Sequence, residues 1–274
     1  RPQKEILERL KNLKWVHLGS VGFDENLINY LKIKKIFISN SYNISNNEIS
    51  QNILSYILYI HRGIYFSDIL IEKNNLLRSK LDKYFQKLKP LDQNKILIVG
   101  YGRIGKKLAS YLKMFCSNLY AIRNISKIND KNIKEVIFVK NIKSRIKNMD
   151  IVINLLPQNK NTENFFNSNL LKNFKKNSIF ICAGRGDTYD LNTLVKLINK
   201  NLILGAYLDT FPKFLYKSPN EPIDKNSKIL KNKKIKITPH ISGYSQNYWD
   251  KQILIFTENL NTLLNKNKIK INEL

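Results

Sequence analysis

Three glycines separate an apolar run from an amphipathic segment in the second quarter of the chain. Residues 96–99 are all apolar and predict a short buried strand, and apolar residues recur at helical spacing over 106–115. The turn between them contains Gly100, Gly102 and Gly105 in the spacing GxGxxG. A strand therefore passes through a glycine-rich turn directly into a helix.

In this context each glycine has a physical role. The first allows a tight turn, the second lets the backbone approach a pyrophosphate, and the third lets the helix pack closely on the strand. The helix N-terminus then faces the anion, and Arg103 and Ile104 lie in its first turn. This placement favours a dinucleotide site over the alternative, an accidental glycine-rich turn.

Strands and helices alternate after this turn. Strands are predicted at 118–122, 136–139, 151–155, 178–182 and 202–208, and helices at 168–174, with Ser168 as N-cap, and at 191–198, with Asp190 as cap. Such alternation is typical of an α/β fold with a doubly wound parallel sheet.

The first third of the chain predicts a separate domain. It contains predicted strands at 15–18 and 35–39, helices at 49–60 and 69–81, and a linker at 89–94. A last helix, about 246–264, places five apolar side chains on one face that we expect to pack on the first domain: Trp249, Ile253, Phe256, Leu260 and Leu263. We therefore assign 1–89 to a substrate domain joined by 246–274, and 90–245 to a dinucleotide-binding domain.

The composition bears on partners and location. The net charge is +26, but 39 of the 47 basic residues are lysines scattered through every segment, which favours a solvated surface over a nucleic-acid site. The sequence contains no run of 18 apolar residues, so we expect no membrane span. It also has no apolar N-terminal segment of the kind found in secretory signals, so we expect none. Cys116 and Cys182 fit small core residues of a reduced, cytoplasmic protein, and we expect no metal site.

Six segments, in order, resemble the D-isomer-specific 2-hydroxyacid dehydrogenases, and within them the glyoxylate/hydroxypyruvate reductases. They are 99–105, 153–157, 182–186, 205–211, 221–222 and 237–243, and upstream 13–16 and 19–24 resemble the substrate-domain loop of the family. The resemblance implies a Rossmann-like dinucleotide domain and a flavodoxin-like substrate domain whose first βα units are missing here.

The resemblance also implies a catalytic set. Reduction of a 2-keto acid needs a cation for the carboxylate and carbonyl, an acid near neutral pKa, and a group that keeps this acid protonated. Arg185 is the implied cation, His240 the proton donor and Glu221 its carboxylate partner. Glu221 follows what reads as an insertion at 212–219, so the alternative is a surface glutamate and a lost acid.

Further residues take roles by the same resemblance. Asp209 is implied to bind the nicotinamide carboxamide, with a helix or turn cap as the alternative. The other cofactor residues implied are Leu156, Pro157 and Ala183, and the substrate residues implied are Gly19, Ser20, Val21 and Gly22.

The cofactor preference follows from the end of the second dinucleotide-domain strand. Members that prefer NAD carry an acid there, which accepts the ribose hydroxyls. This chain has Arg123, with Ser126 and Lys127 close behind, and an arginine pairs with a 2′-phosphate. We therefore expect NADP(H), with NAD(H) as the alternative.

These observations predict an NADP(H)-dependent oxidoreductase that reduces a small 2-keto acid, of glyoxylate or hydroxypyruvate type, to the D-2-hydroxy acid. The alternative is a dinucleotide-sensing regulator without catalysis, like the corepressor members of the family. By resemblance we also expect a homodimer formed through the helix after Gly105 and the segment leading into it.

Overall fold

The computed structural model describes residues 4–19, 25–123, 130–212, 215 and 227–274. The strands are β1 (Trp15–Leu18), β2 (Phe37–Asn40), β3 (Ile96–Val99), β4 (Leu119–Ile122), β5 (Glu135–Ile137), β6 (Ile151–Asn154), β7 (Ser178–Cys182), β8 (Ile203–Leu208) and β9 (Ile235–Ile237). The α-helices are α1 (Lys4–Arg9), α2 (Glu25–Ile33), α3 (Asn46–His61), α4 (Ile64–Glu72), α5 (Arg78–Phe85), α6 (Arg103–Leu112), α7 (Ile142–Ile146), α8 (Ser168–Leu171), α9 (Leu191–Asn199), α10 (Lys228–Lys231) and α11 (Tyr248–Lys266).

The chain forms two compact units, each with its own core. The first unit combines residues 1–45 with residues 244–274, and the second unit is residues 46–243. The helices α3 to α5 therefore pack with the second unit, whereas the sequence-based boundary at residue 89 placed them with the first domain. The assignment of a substrate and a dinucleotide domain stays a prediction.

The second unit contains a seven-stranded sheet in the order β5-β4-β3-β6-β7-β8-β9. Every pairing between neighbouring strands is parallel. The strand order reverses between β3 and β6, and in such sheets ligands bind outside the carboxyl ends of the strands at this point. The predicted doubly wound parallel sheet is confirmed.

Both faces of this sheet are covered, which explains why its strands are continuously apolar. In β3, Leu97 and Val99 belong to one apolar cluster, and Ile96 and Ile98 belong to the cluster on the opposite face. All four side chains are fully buried. A strand buried on both faces loses the alternating pattern of a half-exposed strand.

The first unit contains a small parallel sheet. β1 pairs with β2 in register from Trp15↔Phe37 to Leu18↔Asn40. Residues near the other end of the chain continue this sheet, because Ser39 and Glu273 form an antiparallel bridge. The Leu274 amide also donates to the Ile38 carbonyl at 3.0 Å.

The predicted burial of the apolar face of α11 is wrong for part of that face. Trp249 and Ile253 are 63% and 60% exposed, while Phe256 stacks on Trp15 with ring centroids 4.9 Å apart. The buried residues of α11 are the polar Gln252 and Asn259. The Asn259 side chain accepts from the Ile271 amide and donates to the Ile271 carbonyl. A hydropathy pattern cannot predict the buried face of a helix that is held by polar side chains.

Two local predictions also differ from the structure. The helix predicted at 69–81 is two helices, because Asn74 adopts a left-handed conformation (φ 49°) that ends α4. The N-cap of α8 is Asn167 rather than Ser168, and its side chain accepts a hydrogen bond from the Leu170 amide. Of the helices in the described ranges, none combines the length and the apolar character needed to cross a membrane.

Candidate functional site

The predicted site residues of the second unit lie at one edge of the sheet. Because all seven strands are parallel, their carboxyl ends meet at the same edge. Gly100 follows β3, Arg123 follows β4, Arg185 follows β7, and Asp209 follows β8. The loop after β9 contains His240. Among the described residues of this unit, the edge therefore brings the predicted cofactor residues together with Arg185 and His240.

The glycine turn is tightly packed at Gly100 and Gly105 and open at Gly102. Gly100 has φ 94°, and a Cβ there would lie 2.8 Å from backbone atoms of Leu155 at the end of β6. A Cβ on Gly105 would contact the Gly100 carbonyl at 3.2 Å, so the helix packs tightly on the turn. In contrast, a Cβ on Gly102 would meet nothing within 4 Å. The space beside Gly102 is therefore open, as the predicted approach of the backbone to a pyrophosphate needs.

The remaining predicted cofactor residues surround this turn. Arg103 and Ile104 begin α6, and Arg123 is an exposed arginine directly after β4. Leu156 and Pro157 follow β6, and Ala183, which is buried, follows β7. Ser126 and Lys127 lie outside the described residues.

Tyr101 is a residue of this turn that the sequence analysis missed. Its side chain is buried, and its hydroxyl donates to Asp130 Oδ2 at 2.8 Å. This bond fastens Asp130 to the glycine turn. Burial raises the pKa of Tyr101, so the hydroxyl stays protonated and remains a donor.

The loop that carries Arg185 is held by close backbone packing. A Cβ on Gly184 would lie 2.6 Å from the Leu156 carbonyl oxygen, and a Cβ on Gly186 would lie 1.8 Å from the Phe211 carbonyl. Only glycine fits at both positions. The two glycines flanking Arg185 therefore fasten its backbone to the turns after β6 and β8.

Asn154 supports the same loop from inside the sheet. It is fully buried, and its Nδ2 donates to Thr188 Oγ1 at 2.7 Å. Thr188 Oγ1 in turn donates to the Arg185 carbonyl. The Arg185 guanidinium is half-buried and donates from Nη1 to the Gly184 carbonyl at 2.8 Å. Asn154 lies in one of the segments that resemble the family, but nothing in the sequence around it indicates this supporting role.

Asp209 anchors the loop that carries His240. Its carboxylate is fully buried, and Oδ1 accepts from Thr238 Oγ1 at 2.6 Å and from the Ile241 amide at 2.9 Å. Oδ2 accepts from the Ser242 amide at 3.2 Å and from the Ser242 hydroxyl. Its predicted role toward the nicotinamide carboxamide stays a prediction. The bonds observed correspond to the alternative, in which this aspartate organises a turn.

His240 occupies an unusual backbone conformation. Its φ is 58°, in the left-handed region, which costs a residue with a Cβ about 1–2 kcal/mol. Its amide donates to the Thr238 carbonyl at 2.9 Å, and its side chain is exposed. The bonds on both sides of His240 hold the strained conformation, and strain of this kind is characteristic of functional sites.

The other two histidines lie in different surroundings. The His17 ring bonds the hydroxyls of Ser39 and Ser41 at 2.8 and 3.2 Å, and His61 Nδ1 bonds the Ile57 carbonyl. Burial lowers the pKa of both rings, which favours their neutral forms at neutral pH. Neither His17 nor His61 is therefore an exposed candidate for the proton donor at the carboxyl edge of the seven-stranded sheet.

Three further groups of predicted residues have separate outcomes. Ser20, Val21, Gly22 and Glu221 lie outside the described residues. Gly19 is described and exposed, and its carbonyl accepts from Gln252 Nε2 at 2.9 Å. Cys116 and Cys182 are both buried and free, as expected. Burial raises the pKa of the Cys182 thiol to about 11, so it is protonated and unreactive at neutral pH.

Comparison with known proteins agrees with this geometry. The sequence model of the D-isomer specific 2-hydroxyacid dehydrogenase NAD-binding domain matches residues 54–242, more than half of the chain. A probable 2-ketogluconate reductase of Dictyostelium discoideum is 28% identical over 240 residues, covering 87% of this chain and 69% of that protein. A glyoxylate reductase of Thermofilum pendens is 25% identical over 239 residues, covering 87% and 68%.

A solved structure has a similar fold. An acyclic imino acid reductase in complex with NADPH and D-Arg superposes with a TM-score of 0.78 and 23% identity, covering 99% of this chain and 82% of that one. At this level of identity the likeness concerns the fold. The family match, together with the glycine turn at the carboxyl edge of a parallel sheet, shows that the chain belongs to the D-isomer specific 2-hydroxyacid dehydrogenases, oxidoreductases with an NAD-binding domain.

Proposed function

We propose that this protein uses NADPH to reduce a small 2-keto acid, of glyoxylate or hydroxypyruvate type, to the D-2-hydroxy acid. The observation that carries the proposal is the joining of two loops at the sheet edge. Gly186, next to Arg185, packs on the Phe211 backbone, and the amides after His240 bond Asp209. Both loops are thus fixed to the same short segment after β8.

This arrangement suits reduction of a keto acid. A bound nicotinamide dinucleotide supplies the hydride that the keto carbon accepts. The keto oxygen gains negative charge as the carbon is reduced, and the His240 imidazolium donates the proton that converts it to a hydroxyl. Arg185 holds the carboxylate through its planar guanidinium. His240 then regains a proton from water, because its side chain is exposed.

Residues outside the described ranges complete the proposal. Glu221 pairs with the His240 imidazolium and raises its pKa, as a nearby carboxylate does. Ser20, Val21 and Gly22, together with the described Gly19, bind the substrate. The substrate class is supported by the curated relatives, which include a glyoxylate reductase and a probable 2-ketogluconate reductase.

The preference for NADPH rests on charge at the end of β4. Arg123 is exposed at the position where an acid would select NAD(H), and its guanidinium pairs with the 2′-phosphate. Solved structures of similar fold contain NADPH in one case and NAD in another, so the preference rests on Arg123. NAD(H) is the alternative that the test below distinguishes.

We also propose that the protein is a cytoplasmic homodimer. The segment leading into the glycine turn exposes large apolar side chains, namely Ile64, Ile71, Leu76, Leu77 and Phe85, and the end of α6 is followed by the exposed Met114. We infer that these side chains form part of the dimer interface, since apolar patches exposed on a monomer are typical of protein interfaces. The two free, buried cysteines support a reducing compartment.

The test is turnover by the purified protein. We expect it to oxidise NADPH with glyoxylate or hydroxypyruvate, and more slowly with pyruvate or 2-ketogluconate, as followed by NADPH absorbance. The variant His240→Ala should lower the rate of reduction about 100–10,000-fold at every pH, and Arg185→Ala should chiefly raise the KM of the keto acid. Each assay is repeated with NADH.

The test also separates the alternative function. A protein that binds NADPH but turns over none of these acids would contradict the proposal and favour a dinucleotide-sensing regulator on the same fold. A protein that binds neither dinucleotide would contradict both.

A further inference from the structure

A chain of polar side chains leads from α3 to the loop that carries His240. The Tyr207 hydroxyl donates to Asn52 Oδ1 at 2.6 Å and lies 2.8 Å from Thr238 Oγ1. Thr238 Oγ1 donates to Asp209 Oδ1 at 2.6 Å. Each hydroxyl has one proton, and that of Thr238 goes to the Asp209 carboxylate. Tyr207 is therefore the donor in its contact with Thr238, and its proton is shared between Asn52 Oδ1 and Thr238 Oγ1.

Ser242 closes this network from the other side of the loop. Its side chain is buried, and both its amide and its hydroxyl donate to Asp209 Oδ2. The Ile241 amide donates to Oδ1. The residues before and after His240 therefore share one buried carboxylate.

We infer that Tyr207 and Ser242 are positioning residues for His240, because their hydroxyls fix Thr238 and Asp209 and so hold the left-handed turn that presents the imidazole. This inference rests on the proposed function, in which His240 donates the proton. Neither hydroxyl contacts the reacting atoms in the proposal; both act through the loop.

Two features of the site make the support necessary. His240 has an exposed side chain and a left-handed backbone, a conformation that the bonds on both sides of the residue hold. The carboxylate of Asp209 is fully buried, and such a group depends on each of its donors. Loss of one donor would let Asp209 and the loop rearrange, and small displacements of a catalytic group lower rates steeply.

Tyr207 is suited to this role at every pH at which the enzyme could work. Burial raises the pKa of its hydroxyl to about 12, so the hydroxyl remains a donor through neutral and moderately alkaline pH. Its ring stacks on Tyr56 with centroids 4.7 Å apart, so Tyr207→Phe keeps the packing and removes only the hydroxyl. We therefore expect its effect on rate to be independent of pH.

The kinetic test compares Tyr207→Phe and Ser242→Ala with a matched control, Tyr65→Phe. Tyr65 is a buried tyrosine whose hydroxyl also donates to a carbonyl, that of Lys233 at 2.8 Å. We expect the first two variants to lower kcat about tenfold, with the KM for NADPH changed less than about twofold. Tyr65→Phe should keep the wild-type kcat. Wild-type kcat in both Tyr207→Phe and Ser242→Ala would overturn the inference.

A double-mutant cycle separates positioning from a general structural effect. In a His240→Gln background, Tyr207→Phe should not change the residual rate, because the residue that it positions is gone. An equal loss in both backgrounds would show that Tyr207 acts elsewhere and would overturn the inference.

A third measurement does not require turnover. The chain has three histidines, so the imidazole NMR signals are few and His240→Gln assigns one of them. The His240 signal should shift in Tyr207→Phe and Ser242→Ala and stay unchanged in Tyr65→Phe. An inactive wild-type protein would refute the proposed function while this comparison still decides the positioning. An unshifted His240 signal in both variants would overturn the inference.

Discussion

Arg123 is a single guanidinium at the end of β4, and we expect it to decide the dinucleotide preference. Arg123→Asp removes a charge-assisted bond to the 2′-phosphate and places a carboxylate against it. The kcat/KM for NADPH should fall about 10–100-fold, while that for NADH stays the same or rises. Steady-state kinetics with both dinucleotides measures this.

Arg62→Asp is the matched control for this change. Arg62 is also an exposed arginine, directly after α3, and its replacement alters the net charge equally. A similar loss with NADPH in both variants would mean that overall charge, rather than Arg123, attracts the phosphate.

Glu221→Gln should change the pH profile of the reaction. A carboxylate beside His240 favours the imidazolium, so its removal lowers the pKa of His240 and moves the alkaline limb of kcat to lower pH. NADPH affinity should change little. Glu163→Gln, at an exposed glutamate, should leave the profile unchanged. An unshifted alkaline limb in Glu221→Gln would show that another acid, or none, pairs with His240.

Some side chains of the candidate site can be predicted from the sequence, and others are recognised only in the structure. Arg185 and His240 are recognisable from short motifs, because their chemistry requires those residue types. The supports of these residues are recognisable only in space: Asn154 lies 34 positions from Thr188, and Asp209 lies 33 positions from Ser242. A hydrogen bond between distant residues leaves no periodicity or spacing in one sequence.

In the turn between β3 and α6, substitution of Gly100 should lower stability, and substitution of Gly102 should lower the affinity for NADPH. Gly100→Ala places a Cβ 2.8 Å from the Leu155 backbone at a positive φ, so we expect a loss of stability of about 2 kcal/mol or more. Gly102→Ala meets nothing within 4 Å, so its melting temperature should match that of the wild type. Its affinity for NADPH should fall, because the new methyl group occupies the space left for the pyrophosphate.

Thermal unfolding and NADPH titration measure the two effects of these glycine variants. Unchanged NADPH affinity in Gly102→Ala would show that the open space beside this residue is not the phosphate site. Wild-type stability in Gly100→Ala would show that the turn relaxes around the added group.

The predictability of each element depended on what stabilises it. β3, β7 and α9 were placed within a residue or two, because continuous apolar runs and an aspartate cap mark them. The prediction that the apolar face of α11 is buried was wrong for part of that face, because the side chains of Gln252 and Asn259 hold this helix through hydrogen bonds. In such elements tertiary hydrogen bonds override the hydropathy pattern.

At the level of the whole molecule, the exposed apolar residues of α4 and the segment after it predict self-association. The double variant Ile71→Asp, Leu77→Asp places two charges on this surface and should convert a dimer into a monomer, as measured by light scattering. Ile33→Asp is the control, because Ile33 is more exposed but lies on α2 of the other unit. A wild-type monomer at micromolar concentration would refute the homodimer.

The two-part composition of the first unit has a consequence for synthesis on the ribosome. Residues 46–243 are contiguous and can fold once they emerge, whereas residues 1–45 need residues 244–274 to complete their unit. At about 5–20 residues per second, the intervening stretch takes roughly 10–40 s to translate. During that interval Ser41 and the Gly19 carbonyl lack Gln252, and the Ile38 carbonyl lacks the Leu274 amide. The nascent chain thus carries an incomplete, chaperone-accessible sheet beside an already folded unit.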